Sequence, residues 1–503
     1  MEGTRPQWGT RAGFIFAAVG SAVGLGNIWR FPGVAYENGG GAFLIPYLFA
    51  ILTAGIPILI MEFTLGQKYR GSAPLTFARL GRKFEWLGWF QVAISFVIAT
   101  YYAVIIAWAA MFAIYSFDLK WGADPNGFFF GEFLQLGDVG ATGSIVPHIF
   151  IPLAIVWLVT LSVLFKGVKK GIEIVNKICI PLLLVLFLII VVRSVTLDGA
   201  LDGLNAFFTP NWGELTNPNI WIAAYGQIFF SLSVAFAIMI TYSSYLPKKT
   251  DITNNAFITA FANSGVELLA GIGVFAALGF MAGQAGVPID EVVSKGVGLA
   301  FVVFPQIINE FPAFNGFLGS AFFICLMLAG LTSLVSIVET FIAGVCDKFK
   351  VSRNKSILFG GGLAAVVSIV YSTQGGLYFL DVVDYFINNF GIVMAGLIEI
   401  IIVIWLLRKT KELKDHANSM SDMRLGVWWD ICLKYVTPLV LTYMIIQTFI
   451  NNFTANYEGY PTDFVIKYGW SLLVVALLAG VVFARFKWKD TEVESYRFEK
   501  EVS

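Results

Sequence analysis

In the first long apolar stretch, the run Gly20-Ser21-Ala22-Val23-Gly24-Leu25-Gly26-Asn27 puts three glycines and an amide where a helix in hydrocarbon should carry only apolar side chains. Each glycine costs a helix about 1 kcal/mol against alanine. Small residues also serve close helix packing, but three glycines together with Asn27 point to an unwound segment. Irregular backbone at membrane depth survives only where it lines a cavity or is buried by protein. A later apolar stretch carries Gln227, Ser231 and Ser233 within residues 225–236, and others add Asn263, Glu267, Ala329-Gly330-Leu331-Thr332-Ser333 and the adjacent Tyr101 and Tyr102. Hydroxyls, amides and freed carbonyls form a hard-oxygen set suited to an alkali cation. The helix start at Leu25 and Gly26 offers free N–H groups and a positive dipole end to a carboxylate. A cation and a carboxylate side by side suggest sodium-coupled uptake of a carboxylate-bearing solute.

The elements that must position these residues are membrane spans. Of the 503 residues, 57% are hydrophobic and 13% charged, and the mean hydropathy is +0.77. Soluble domains carry about 25% charged residues. A spanning helix needs about 20 apolar residues, and that template finds twelve stretches: 11–37, 42–66, 85–117, 146–165, 172–193, 220–246, 254–282, 316–346, 356–372, 377–407, 428–451 and 464–486. About 28 of the 33 Lys and Arg residues fall on the side of the termini, which the positive-inside rule assigns to the cytoplasm. The reading is an all-α polytopic protein of the cell membrane with both termini cytoplasmic. Of the opposite loops, 197–218 and 284–310 should hold short surface helices, and the tail from Asp490 should be solvated.

Other function classes find little support. The formal charge is zero, so no basic surface argues for nucleic acid. The cysteines, Cys179, Cys325, Cys346 and Cys432, lack metal-ligand spacing, and His148 and His416 lie far apart. No nucleophile–base pair or phosphate loop signals an enzyme, and no organic cofactor is implied. No cleavage site of signal-peptide type precedes the first stretch, which therefore reads as a mature span. Charged groups within the spans should face the bundle or a water-filled cavity. Arg30 and Asp384 could close over the site from outside, Arg5 and Asp347 could pair at the cytoplasmic end, and Glu62, Glu339 and Glu399 read as interhelical hydrogen-bonding groups.

At residues 20–32, with Glu37-Asn38-Gly39-Gly40-Gly41-Ala42-Phe43, residues 221–245 and residues 329–333, the chain resembles the neurotransmitter:sodium symporter family, and especially its bacterial amino acid transporters. The resemblance runs from Trp8 to about residue 485. It implies an inverted repeat of spans one to five and six to ten, with spans one and six broken around the substrate. The division would be a cytoplasmic tail at 1–10, repeats at 11–193 and 194–408, spans eleven and twelve within 409–489, and a second tail at 490–503. It also implies two sodium sites. One would use the Ala22 carbonyl, Asn27, Ser231, Asn263 and the substrate carboxylate; the other would use the carbonyls of Gly20, Val23 and Ala329 with the hydroxyls of Thr332 and Ser333.

The substrate carboxylate would meet Leu25, Gly26 and Tyr102, and its amino group Ala22, Phe230, Ser231 and Ser233. Ile98, Phe236, Leu334 and Ile337 would line the side-chain pocket. Phe230 and Tyr102 would lie beneath an extracellular gate of Arg30 and Asp384, with an intracellular gate of Arg5, Trp8, Tyr245 and Asp347. Gly24 stands where monoamine carriers of the family have an aspartate, which favours an amino acid. Glu267, with Tyr47 and Gln227, stands where chloride-dependent members have a serine, so a fixed carboxylate would replace the anion. Ser231 stands in place of a threonine, residues 234–237 in place of a glycine-containing stretch, and Leu334 in place of a serine. These changes lean toward a small or medium neutral amino acid. The alternatives are a carrier of an osmolyte such as taurine or betaine in the same fold, or a ligand-binding membrane receptor. The short N-terminal tail and cysteine-free second outer loop fit a bacterial inner-membrane protein.

Overall fold

The computed structural model describes residues 5–289, 296–311 and 313–489. Within these, ten helices are long and apolar enough to cross a membrane: Gly41–Tyr69, Arg82–Tyr115, Pro147–Phe165 and Val168–Val195 (spans two to five), then Ile252–Ala285, Asn315–Phe349, Arg353–Ser372, Gly376–Leu406, Val427–Gly459 and Thr462–Arg485 (spans seven to twelve). Each overlies the apolar stretch expected for it. The remaining two spans are the broken ones. Short helices Ala200–Phe208 and Gly296–Glu310 lie in the segments joining span five to six and span seven to eight, while residues 290–295 and the tail from Asp490 lie outside the described residues. Two further short helices, Ala73–Leu80 and Thr410–Met420, were not expected from hydropathy.

Span one is two half-helices, Arg11–Ala22 and Leu25–Glu37, bent by 50°. Thr10 starts the first by accepting from Gly13 N (2.9 Å). Gly24 is extended (φ −118°, ψ −168°), and its N–H donates to Asn27 Oδ1 (2.9 Å), so the asparagine caps its own half-helix.

Span six is Pro218–Ser231 and Ile238–Ser243, and residues 232–237 between them are not helical. Ser233, Ala235 and Ala237 take φ of 54°, 67° and 70°. A left-handed L-residue costs about 1–2 kcal/mol, so the break must be held from outside. Ser95 Oγ donates to Phe236 O (2.5 Å), Ser233 Oγ to Ser21 O (2.9 Å), and Ala235 N to Glu62 Oε1 (2.6 Å).

Burial separates the spans that position the site from those that face lipid. In the most apolar window of span eight 83% of residues are buried inside the protein, and in that of span twelve 22%. Spans two, three, seven and eight therefore surround the broken pair. Spans four, five, nine, eleven and twelve present apolar side chains such as Leu158, Val185, Val366, Leu439 and Val475 outward, as lipid requires.

The break in span six makes a stability prediction. Ala237→Gly relieves the left-handed strain but loses a buried methyl worth about 0.8 kcal/mol and adds a glycine entropy cost of about 0.5–1 kcal/mol. Near-neutral thermal stability in detergent is expected. Ala237→Val puts a β-branched residue at φ 70° and should lower the unfolding temperature by several degrees.

Candidate substrate and cation site

The two breaks meet at the centre of the bundle. Asn27 Nδ2, from the second half of span one, lies 2.8 Å from one end of the Asn263 amide on span seven. That same end is 3.1 Å from Ala22 O and 3.3 Å from Ser231 O, while the other end is 3.1 Å from Ser231 Oγ. All four residues are buried. With Asn263 Oδ1 turned to the carbonyls, three oxygens converge, an arrangement that a cation stabilises and that otherwise repels. With the amide rotated, Nδ2 donates to both carbonyls. Neither orientation pairs every group: the first sets the Asn263 oxygen against two carbonyls, and the second sets its nitrogen 2.8 Å from the Asn27 Nδ2 donor.

A second oxygen group lies across span one. Ser333 Oγ donates toward Gly20 O (3.2 Å) and Ser21 O (3.3 Å), and Thr332 Oγ1 turns back to Ala329 O (3.0 Å) and Leu328 O (3.1 Å). Val23, with ψ 93°, ends the first half-helix beside them in the chain. Gly20, Ala329, Thr332 and Ser333 are thus brought to one place by spans one and eight.

Tyr102, on span three, accepts from Leu25 N (3.0 Å) and also hydrogen-bonds Ser333. A Cβ on Gly24 would stand 2.7 Å from the Tyr102 hydroxyl, and one on Gly26 would stand 2.3 Å from the Phe230 ring. Both glycines are needed for close approach. An aspartate at position 24 would have to displace Tyr102. Ile98 lies one turn from Tyr102 on span three, where the neighbouring Ser95 holds the Phe236 carbonyl; Leu334 and Ile337 follow Ser333 on span eight, and all four apolar side chains are buried.

Beside the Asn27–Asn263 cluster lies a carboxyl. Glu267 accepts from the Tyr47 hydroxyl through Oε2, from Gln227 Nε2 through Oε1 (2.6 Å), and from Ser231. Ser264 Oγ stands 2.7 Å from the Tyr47 hydroxyl and completes the group. Glu267 is fully buried. Ser231 touches both Asn263 and Glu267, so the oxygen cluster and the carboxyl share one hydroxyl.

The family model described as "Sodium:neurotransmitter symporter family" matches residues 5–128 and 123–491. The chain belongs to this family. It is 43% identical over 484 residues to an uncharacterised sodium-dependent transporter of Methanocaldococcus jannaschii, covering 96% of this chain and 98% of the relative. It is 30% identical to a sodium-dependent dopamine transporter of Caenorhabditis elegans (95% and 84% covered). It is 29% identical to the human sodium- and chloride-dependent neutral and basic amino acid transporter B(0+) (96% and 86% covered).

In this family member the two ends of the bundle differ. At the basic end Arg5 donates to Asp347 (3.0 and 3.1 Å) and to Ser244 Oγ (3.0 Å), and its guanidinium lies over Tyr245. Trp8 Nε1 donates to Tyr242 O (2.8 Å) and Trp8 N to Tyr245 O (3.2 Å). The structure also adds residues beyond the four singled out from the sequence: Tyr245 donates to Glu339 (2.7 Å), and Arg353 clasps Glu339 through two bonds (2.7 and 2.8 Å).

At the opposite end no ion pair joins Arg30 to Asp384 among the described residues. Arg30 stacks 4.9 Å over the Phe230 ring, while Asp384 accepts from Asn388 (2.7 Å) and Tyr101. The negative face of the aromatic quadrupole attracts the guanidinium, which takes this place instead of pairing with Asp384. A cavity of about 230 Å³, lined by Arg30, Phe229, Phe230, Asn388, Asn389 and Met444, opens beside it. The basic end is thus closed and the opposite end held less tightly.

Close packing at Gly26 gives a test. Gly26→Ala forces the Phe230 ring to shift, an overpacking cost of about 1–3 kcal/mol. The expected outcome is lowered thermal stability, partly recovered by adding Phe230→Leu; full stability in the single variant would show that the ring is free to move.

Proposed function

We propose that the protein is a sodium-coupled symporter that imports a neutral amino acid by alternating access and does not need chloride. The observation that carries this reading is the cluster of the Ala22 and Ser231 carbonyls with the Asn263 amide, flanked by the Asn27 amide nitrogen, which shares Ser231 with the buried carboxyl of Glu267. A fixed negative charge there offsets the cation's charge, which is the part an anion would otherwise play. Co-transported sodium ions are substrate here.

An amino acid fits the polar ends of the site. Leu25 and Gly26 at a half-helix start, with the Tyr102 hydroxyl on Leu25 N, form a carboxylate-binding group, and a bound carboxylate would lie close enough to complete the first cation's shell. The Ala22, Phe230 and Ser231 carbonyls with Ser233 suit an ammonium group. Gly24 leaves no carboxylate for an amine that lacks its own. Leu334 and Phe236 close the pocket to large side chains, which favours a small neutral substrate. Named relatives fit both kinds of cargo: one carries dopamine, the other neutral and basic amino acids.

In this mechanism sodium and amino acid enter from the side of Arg30 and Asp384, that pair closes, and the Arg5–Asp347 and Trp8 contacts then release toward the cytoplasm. The two states must differ in ligand affinity for either step to be driven. Two five-span halves, 11–193 and 194–408, would move against each other, and both termini would face the cytoplasm, as the basic residues favour.

Proteoliposome uptake tests the proposal. Neutral amino acid uptake should require a sodium gradient, persist when chloride is replaced by gluconate, and become chloride-stimulated in Glu267→Ser. Uptake in potassium alone, or chloride dependence in the native protein, would overturn it. A thermal-shift panel of amino acids, taurine and betaine, in sodium and in potassium, identifies the cargo. A ligand at about 100 times its Kd should stabilise by about 2.7 kcal/mol.

A further inference from the structure

Two carboxyl side chains deep in the bundle take no part in the site described above. Glu62 on span two and Glu399 on span ten are both 0% exposed. Glu62 Oε1 accepts from the Ala235 amide of the span-six break (2.6 Å), and Glu399 Oε2 accepts from Gln91 Nε2 on span three (2.7 Å). The remaining oxygens, Glu62 Oε2 and Glu399 Oε1, find no donor. Yet the two carboxyls lie within hydrogen-bond reach of each other. Among the described residues no basic side chain is paired with either. The groups that bear on them from spans two, three and ten and from the break are each other, Gln91 and the Ala235 amide.

A bare pair of carboxylates in contact is untenable in such a place. Like charges at hydrogen-bond distance cannot both ionise, and an unpaired buried carboxylate is costly to desolvate. One proton resolves both defects, because it makes one orphan oxygen a donor and the other its acceptor. We propose that Glu62 and Glu399 form a proton-binding site that holds one shared proton and clips spans two and ten together against the unwound segment of span six.

The clip bears directly on the hinge. Glu62 is the partner of the Ala235 amide, which sits between two other left-handed residues, Ser233 and Ala237. From the other side span ten presses on the same residue: a Cβ on Gly396, one turn before Glu399, would stand 3.1 Å from Ala235 Cβ and 2.9 Å from the Phe229 ring. A proton that joins the two carboxyls therefore stabilises this arrangement of the break. Any state that separates spans two and ten at this level binds the proton less tightly, and proton affinity is linked to the conformational change.

The test uses the purified full-length protein and infrared spectroscopy of the protonated-carboxyl C=O stretch, in water and in D2O, in sodium buffer near neutral pH. A Glu267→Gln background removes the other buried carboxyl cluster from the spectrum. The expected result is a deuterium-sensitive acid band that disappears in Glu62→Gln and again in Glu399→Gln, because either glutamine supplies the hydrogen and leaves its partner an ordinary carboxylate. If the acid band in that background survives unchanged in both variants, or is absent before they are made, the proposal is overturned. Should either glutamine variant fail to fold, Glu399→Asp keeps an acid in altered geometry and must shift the band; an unmoved band rejects the shared proton. The readout needs no transport, so its failure is distinct from failure of the proposed symport.

Discussion

A peptide group that leaves its helix inside the hydrocarbon has no water to turn to, and every other feature of this molecule answers that constraint. Spans one and six both break at the middle of the bundle. Around the breaks the carbonyls of Gly20, Ser21, Ala22, Ser231 and Phe236 and the amides of Gly24, Leu25 and Ala235 are met by side chains from spans one, two, three, six, seven and eight. The same unmet valences that make broken helices expensive make them good ligands for a cation and a carboxylate. The spans that supply partners are therefore the buried ones, and the spans that supply none are the lipid-facing ones.

The two breaks reach the same end by different means. Span one relies on glycine, whose missing side chain lets Tyr102 and Phe230 approach the backbone at positions 24 and 26. Span six has no glycine in residues 232–237 and instead carries three left-handed L-residues, fastened by Ser95, Ser21 and Glu62. Both breaks are also held by side chains of other spans, Tyr102 and Ser333 at the first and Ser95 and Glu62 at the second, so each moves only when its partners move. Spans two and three, which carry Glu62 and Ser95, are thereby tied to the span-six break.

This difference also explains what could be read from the chain. The twelve spans were legible because each is a predominantly apolar stretch of sufficient length, even where glycine or polar residues interrupt it. The first break was legible as glycine clustered with asparagine. The second was visible only as Gln227, Ser231 and Ser233, and its left-handed residues carry no signal, since alanine in an apolar run resembles ordinary helix. Ser264, Ser95 and Gln91 were passed over for the same reason: one polar side chain on a buried helix usually satisfies itself on its own turn. Only tertiary contact shows that these three reach across to other spans. The helices Ala73–Leu80 and Thr410–Met420 were missed because they are too short or too polar to register as spans. Arg30 and Asp384 were read as a pair from charge and depth, but neither quantity reports that the Phe230 ring lies between Arg30 and the site.

Ser231 is where the arrangement becomes chemistry. It ends the first half of span six, its carbonyl faces the Asn263 amide, and its hydroxyl reaches both Asn263 and Glu267. A hydroxyl has one hydrogen, so it can donate to the Asn263 oxygen or to Glu267 but not to both. When the amide oxygen turns toward the Ala22 and Ser231 carbonyls, as a cation there would require, the Asn263 nitrogen faces the hydroxyl and donates to it, and the hydroxyl is free to donate to Glu267. When the amide turns the other way, the hydroxyl is drawn to the Asn263 oxygen and Glu267 loses a donor. The orientation of the Asn263 amide thus decides whether the Ser231 hydroxyl is free to donate to Glu267, so the two groups cannot rearrange independently.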